Sequence, residues 1–297
     1  MSFEVDTAFV NQYRSNVMFL AQQKGSRLRG SVMVENDVTG ENYFWDQIGR
    51  VAARKVTQRH GDSPLNSTPH DRRRVSLFDY DTGDLIDQLD KVKMLIDPSS
   101  AYAQAHAWAM GRGMDDEIID AFFGTAYEGK DGSTSVSFPA AQQVAVDNHD
   151  YDSGSGNTGL TISKLLAAKE ILDSADLDPD EPRYIAPTAR QISDLLSTTE
   201  VSSADYNTVK ALAEGRIDSY MGFQFIRTQR IGTDSNSYRR VPVWTQSGLG
   251  LAVGKDITAR VTERSDKRFS MYAYFSMSIG ATRLEEDKVV EIKCDES

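Results

Sequence analysis

At 297 residues, 39% hydrophobic and 26% charged, the chain is long enough to bury one large core or two ordinary ones, and it has no apolar run long enough to cross a bilayer as a helix. Its net charge of −11 sets a field that repels nucleic acid, and its one cysteine, Cys294, excludes an intrachain disulfide framework and any multi-cysteine metal cluster. The opening MSFEVDTAFVNQYR carries acids before its apolar positions and lacks the features of a secretory leader, so the expectation is a chain that stays in the cytoplasm.

In residues 6–24 Phe9, Tyr13, Val17 and Leu20 recur near helical spacing, and Gly25 follows where such a helix would end. From Arg27 the period changes to two. Leu28, Val32 and Val34 alternate with Arg29, Ser31 and Met33, a turn at Thr39 and Gly40 follows, and the aromatic run NYFW returns, which predicts a long β-hairpin. HGDSPLNSTPH, with two prolines, reads as a loop.

Residues 79–90, DYDTGDLIDQLD, resemble a calcium loop at Asp79 and Asp81, but Gly83 stands where the third ligand belongs and Asp84 where the glycine belongs. Leu85, Leu89, Val92 and Ile96 instead form one stripe of a helix that Pro98 stops, with Asp81 and Asp84 capping its start. Alanines and Trp108 in SSAYAQAHAWAMGRG predict a second, tightly packed helix whose His106 is a core histidine, since no second ligand sits at i+3 or i+4. MDDEIIDAFFG reads as a third helix: Asp115, Asp116 and Glu117 in its first turn, Ile118, Ile119, Phe122 and Phe123 on its buried side, Gly124 at its end.

SVSFPAAQQVAVD is strand-like around Pro139, and DSGSGNTG is a loop that marks a boundary between lobes. Beyond it come a helix in TISKLLAAKEIL, a strand in PRYIAP, a helix in TARQISDLLS, a helix in DYNTVKALAEG ended by Gly215, and a strand in GFQFIRTQRI. The closing third alternates at Ile257, Ala259 and Val261, then from Phe269 through Ile279, then at Val290, Ile292 and Cys294, predicting a half-buried antiparallel sheet.

Motifs for chemistry are incomplete. GTAYEGKD has the spacing of half a phosphate loop, but Asp131 replaces the Ser or Thr that would hold magnesium, and a helix precedes it where a strand is required. GLGLAVGK has glycines at the wrong spacing for a phosphate or dinucleotide site and reads as a loop with a close backbone approach. There is no Gly-x-Ser-x-Gly elbow, and His60, His70, His106 and His149 are scattered. The expectation is a protein that is not an enzyme and carries no cofactor or metal. The competing class is a cytoplasmic metal-dependent hydrolase on Asp79, Asp81 and Asp84, which requires the three to converge in a concave pocket.

Charge is unevenly spread. Residues 24–74 hold ten basic against six acidic side chains, and residues 75–128 hold eleven acidic against three basic. Two surfaces that meet, within a subunit or between subunits, would explain the division, as would two solvated faces.

The order of elements, with AMGRGMDDEIIDAFFGTAYEG and the RYIAP, LL and MGFQF run as its most specific pieces, resembles the tailed-phage major capsid proteins of the Hong Kong 97 type. The resemblance covers nearly the whole chain and implies an α+β fold with an N-terminal arm in residues 1–24. An extended β-hairpin loop would occupy 25–74, a peripheral domain with a long spine helix 75–160 and 255–297, and an α/β axial domain 161–254. It also implies self-assembly into pentamers and hexamers of an icosahedral shell, built in the host cytoplasm, that encloses double-stranded DNA without gripping it and needs no membrane. Scaffold, portal or decoration proteins are possible separate partners, and a nanocompartment shell of the same fold remains an alternative. Joined to the charge division, the resemblance nominates intersubunit contacts at Arg27, Arg29, Arg50, Arg54, Arg72, Arg73 and Arg74, and at Asp84, Asp87, Asp115 and Asp116.

Overall fold

The computed structural model describes residues 22–55, 65–86, 99–152, 154–197 and 219–296. Within them three sheets are built on three helices. One sheet has the order β1-β12-β13-β4, where β1 is Met33–Asn36, β4 Phe78–Ile86, β12 Leu249–Arg264 and β13 Ser270–Arg283. Alternate residues of β13, namely Ala273, Phe275, Met277 and Ile279, turn to a helix, α1, that spans Ser99–Phe123. The helix answers with Met110, Met114, Ile118 and Phe122, one residue every four, so a period-two face meets a helical stripe. Burying a side chain such as Met114 or Phe122 here contributes about 1.5–3 kcal/mol.

The second sheet has the order β7-β14-β11-β8-β10-β9. Its strands are β7 Gln143–Val144, β8 Arg183–Ile185, β9 Ser219–Tyr220, β10 Phe223–Phe225, β11 Arg239–Thr245 and β14 Val289–Cys294. Helices α2 (Ile162–Ser174) and α3 (Ala189–Ser197) bury Leu165, Ala168, Leu172, Ile192 and Leu195 in the same core as Val241, Val243, Val290 and Ile292. The Thr161 hydroxyl caps α2 by accepting from the Lys164 amide at 3.3 Å. Trp244, on β11 but turned to the first core, donates Nε1–H to the Ser31 carbonyl at 2.9 Å and packs against Phe122 and Tyr184.

The third sheet is β2-β3-β5-β6: Asn42–Ile48, His70–Ser76, Ala126–Glu128 and Thr134–Val136. Trp45 and Val75 fasten it to the body through Ala252 and Leu284.

Helices α2 and α3, strands β8, β13 and β14 and the second half of β12 stand where the sequence places them. Several expectations change. The hairpin is β2 with β3, because β1 pairs in parallel with β12 instead of turning back on its own neighbour. The helix expected to begin at Asp81 and Asp84 is strand β4 up to Ile86. Phe78, Tyr80 and Thr82 alternate, and β13 supplies a nine-residue antiparallel ladder that outweighs a leucine stripe. Residues 87–98, with the rest of that stripe, lie outside the described residues, as do residues 6–21 of the helix expected over 6–24, whose residues 22–24 are not helical, and the helix expected over 205–215. The two helices expected from Ala101 to Phe123 are one, so Asp115, Asp116 and Glu117 stand mid-helix and not in a first turn.

Gly111 does not end a helix. A Cβ there would stand 2.6 Å from the Gly25 Cα, so the glycine admits a crossing backbone. GLGLAVGK is the start of β12 and not a loop, although the close approach is present: a Cβ at Gly250 would meet the Trp45 ring at 2.9 Å. In GTAYEGKD, Ala126–Glu128 is a strand paired with β3. Of GFQFIRTQRI only Phe223–Phe225 is strand, and β14 leaves the sheet of β12 and β13 to pair with β11.

Candidate assembly surfaces

The hairpin of β2 and β3 carries most of the nominated cations. Arg72 lies exposed, its Nε 2.5 Å from Asp46 Oδ1 and its guanidinium 5.8 Å from the Phe44 ring. Arg74, on the same face, stacks over Tyr127 at 4.8 Å. Arg73 points the other way and is 5% exposed, with Nη2 2.5 Å from Glu286 and 3.5 Å from Glu128. Strand alternation thus sorts the arginine triplet, two outward and one into the chain's own core. Arg50 Nη2 donates to the Ala175 carbonyl at 2.6 Å, and Arg54 is exposed. Beside these cations Ile48, Val51 and Leu65 are 71%, 52% and 102% exposed, which gives the hairpin an apolar as well as a basic character.

The remaining cations serve the root of this arm. Arg27 Nη1 donates to the Arg227 carbonyl at 2.6 Å, and Arg29 grips Asp256 through two nitrogens at 3.1 and 2.7 Å. That guanidinium holds the Asp256 carboxyl below the usual carboxylate range.

The acidic nominees divide in the same way. Asp84 is exposed on β4 and accepts from the Leu85 amide at 2.8 Å, and Asp87 lies outside the described residues. Asp116 is held by a bidentate Arg230. Asp115 is 0% exposed. Its two oxygens accept from the amides of Arg27 and Leu28, from Ser26 Oγ at 2.5 Å and from Gln23 Nε2. A residue so committed offers nothing to another subunit, so Asp115, like Arg73, is corrected from surface contact to internal tie. Arg112 Nη1 adds a bond to the Gln23 carbonyl at 3.0 Å and Lys24 lies over Trp108 at 5.5 Å, so residues 22–28 lie along one stripe of α1.

The hydrolase reading fails on strand geometry. Asp79 and Asp81 share one face of β4 and line an open hollow with Lys255, Arg260, Tyr274 and Ser276, while Asp84, three positions on from Asp81, faces the opposite side. Among the described residues no three histidine, cysteine or carboxylate side chains stand close enough to share a metal ion. His106 is packed, stacked on Phe275 with Nδ1 2.9 Å from Thr82 Oγ1.

Two buried cations escaped the sequence. Arg283 donates to the carbonyls of Phe122 and Gly124 at 3.0 and 2.9 Å, closing the end of α1 onto β13. Lys164 Nζ donates to the carbonyls of Thr158, Gly159 and Lys293, and burial lowers its pKa. Neither lies in a motif, because their partners are backbone carbonyls far off in sequence.

Among the described residues no set forms a catalytic constellation, whereas the sheets, the long helix and the hairpin of β2 and β3 follow one known plan. The sequence pattern of the phage capsid protein family matches residues 5–296. The chain belongs to the phage capsid protein family. Its fold is the α+β capsid fold of the Hong Kong 97 type, and solved capsids superpose along its length. The capsid of Ralstonia phage GP4 matches with a TM-score of 0.74 at 11% identity, covering 100% of this chain and 98% of that one. The capsid of the cyanophage P-SCSP1u gives 0.73 at 16% identity, covering 100% and 96%. The capsid of the cyanophage Pam1 gives 0.68 at 17% identity, covering 99% and 98%. No curated protein sequence matches. This capsid protein is a structural component of a virion and not an enzyme, and no helix among the described residues is long and apolar enough to cross a membrane.

Proposed function

We propose that this major capsid protein assembles into hexamers and pentamers that close an icosahedral shell around a double-stranded DNA genome, and that the hairpin of β2 and β3 is the arm by which each subunit engages the next. The family match across residues 5–296 carries the reading. The outward cations Arg50, Arg54, Arg72 and Arg74, together with Ile48, Val51 and Leu65, supply an arm both charged and apolar, which is the composition of an interface core with a polar rim. Asp84, exposed on β4, offers a second copy a group of opposite sign. Heterologous contacts of this kind close into rings, and rings tile a shell. A net charge of −11 suits a container whose lining must not hold the genome fast. Scaffold, portal and decoration proteins are further partners under this proposal, and assembly takes place in the host cytoplasm.

Sedimentation velocity of the purified chain, with electron microscopy of any fast fraction at low and moderate salt, tests it. Rings and shells that weaken as salt rises are the expected result. The double variant Arg72→Glu/Arg74→Glu is expected to stay folded and to sediment as a single subunit. Normal shells from that variant would remove the hairpin cations from the mechanism.

A further inference from the structure

In the segment between β7 and α2 one histidine bridges two acceptors, beside backbone bonds from the Asp152 amide to the His149 carbonyl and from the Thr158 amide to the Val146 carbonyl, both 3.2 Å. His149 Nδ1 stands 2.6 Å from Asp152 Oδ1, and Nε2 stands 2.9 Å from the Gly156 carbonyl oxygen. Both neighbours are acceptors only. A neutral imidazole has one N–H, so it satisfies one of them and turns a lone pair against the other; the imidazolium, with two N–H groups, satisfies both. The surrounding backbone fits that ring closely. The Gly154 amide donates to Asp152 Oδ1 at 2.8 Å, and a Cβ on Gly154 would stand 2.5 Å from the imidazole.

We infer that His149 is a proton-operated clasp, which holds residues 147–152 and 154–157 closed when protonated and lets them open when neutral. Two charged groups act on the ring: Asp152 from its own loop, and Lys164 from α2, whose Nζ is turned onto the carbonyls of Thr158, Gly159 and Lys293. Asp150 is held by Asn148 Nδ2 at 2.5 Å. The acceptors prevail. The Gly156 carbonyl, then Asp152, raise the His149 pKa, and the same contact helps to lower that of Asp152. A histidine whose pKa is higher in the closed loop than in an open one adds stability that is complete below the open value of about 6.5 and is lost as pH rises through the closed-loop value.

Opening this clasp reaches beyond the loop. Asn157 Nδ2 donates to the Tyr238 hydroxyl at 2.9 Å beside β11, and the Tyr151 amide donates to Ser163 Oγ at 3.2 Å on α2. The closed loop therefore ties α2 to the start of β11, and the open one leaves that tie unmade. Loops with this local stability open without global unfolding.

Hydrogen exchange of the full chain, followed by mass spectrometry on peptides covering 147–158 at pH 5.5 and pH 8.5 and corrected for intrinsic rates, decides the matter. The wild type is expected to lose protection several-fold in this loop at the higher pH, with α1 unchanged. His149→Gln is expected to exchange alike at both values, as an open loop does. Asp152→Asn, which keeps the imidazole, is expected to move the loss to lower pH. Equal protection of the wild-type loop at both values overturns the clasp, and so does a pH dependence that survives His149→Gln.

Discussion

The Leu28 amide donates to Asp115 Oδ1 at 3.1 Å, joining residues 87 positions apart and fixing the root of the arm to the middle of α1. Replacing Asp115 by Ala leaves the amides of Arg27 and Leu28, the Ser26 hydroxyl and Gln23 Nε2 without their acceptor in a buried place. The expected loss is about 3 kcal/mol in urea unfolding of the unassembled chain, since each orphaned donor costs about 1–3 kcal/mol and the site relaxes in part.

Two glycines in α1 are expected to respond oppositely to alanine. At Gly111 the new methyl meets the Gly25 backbone at 2.6 Å and displaces the arm root, costing about 1–3 kcal/mol. At Gly113 it meets only the mobile end of Met277 at 3.5 Å, so the gain in helix propensity, about 0.5–1 kcal/mol, should raise the thermal midpoint. A midpoint that falls for Gly113→Ala as well would show that the Met277 side chain cannot give way to the added methyl.

The arginine triplet separates fold from assembly. Arg73→Glu places a carboxylate between Glu128 and Glu286 in a buried site and is expected to cost roughly 3–5 kcal/mol, detaching the hairpin. Arg72→Glu is expected to change unfolding by less than about 0.5 kcal/mol. Equal losses from the two would contradict the sorting of this strand into an inner and an outer face.

Burial pushes the Cys294 thiol up to about 12, with Lys164 only partly offsetting it. A maleimide at pH 8 is therefore expected to leave the native protein unlabelled and to label it fully in urea. Prompt labelling of the native chain would mean that β14 detaches readily.

Glu296 is held by Arg239, with Gln191 and Thr188 in support, and its pKa is lowered. A depressed carboxylate adds stability that is present above the unfolded value of about 4.3 and is lost as pH falls through the folded one. Glu296→Gln should thus cost about 1 kcal/mol at pH 7, and the gap to the wild type should narrow toward pH 3.

What the sequence reveals here depends on whether a partner is near in the chain. Thr161 and the stripe of Leu165, Ala168 and Leu172 define α2 without help from elsewhere, and the alternation from Ala273 to Ile279 defines β13. Strand β4 was hidden because its evidence is the ladder with β13, which no local pattern records, while Leu85 belonged by spacing to a helical stripe. Asp115 resembled a first-turn acid. One signal against that lay in view: it stands directly after Met114, within the run Met110, Met114, Ile118 that faces the core. The arginine triplet is visible in the sequence, and only the alternation of β3 separates Arg72 and Arg74 from Arg73.

The place of β14 bears on when a subunit becomes usable. Among the described residues this strand is the last in order of synthesis, yet it lies between β7 and β11 and brings Val290, Ile292 and Cys294 into the core that α2 and α3 cover. A nascent chain that has already emitted β7, β8 and β11 still lacks the strand that joins the first of these to the others. Until translation reaches residues 289–294, one edge of β11 stays unpaired and the sheet stays split. An unfinished polypeptide therefore carries its second sheet in two pieces, and the order of the strands alone ties completion of that sheet to the emergence of residues 289–294 from the ribosome.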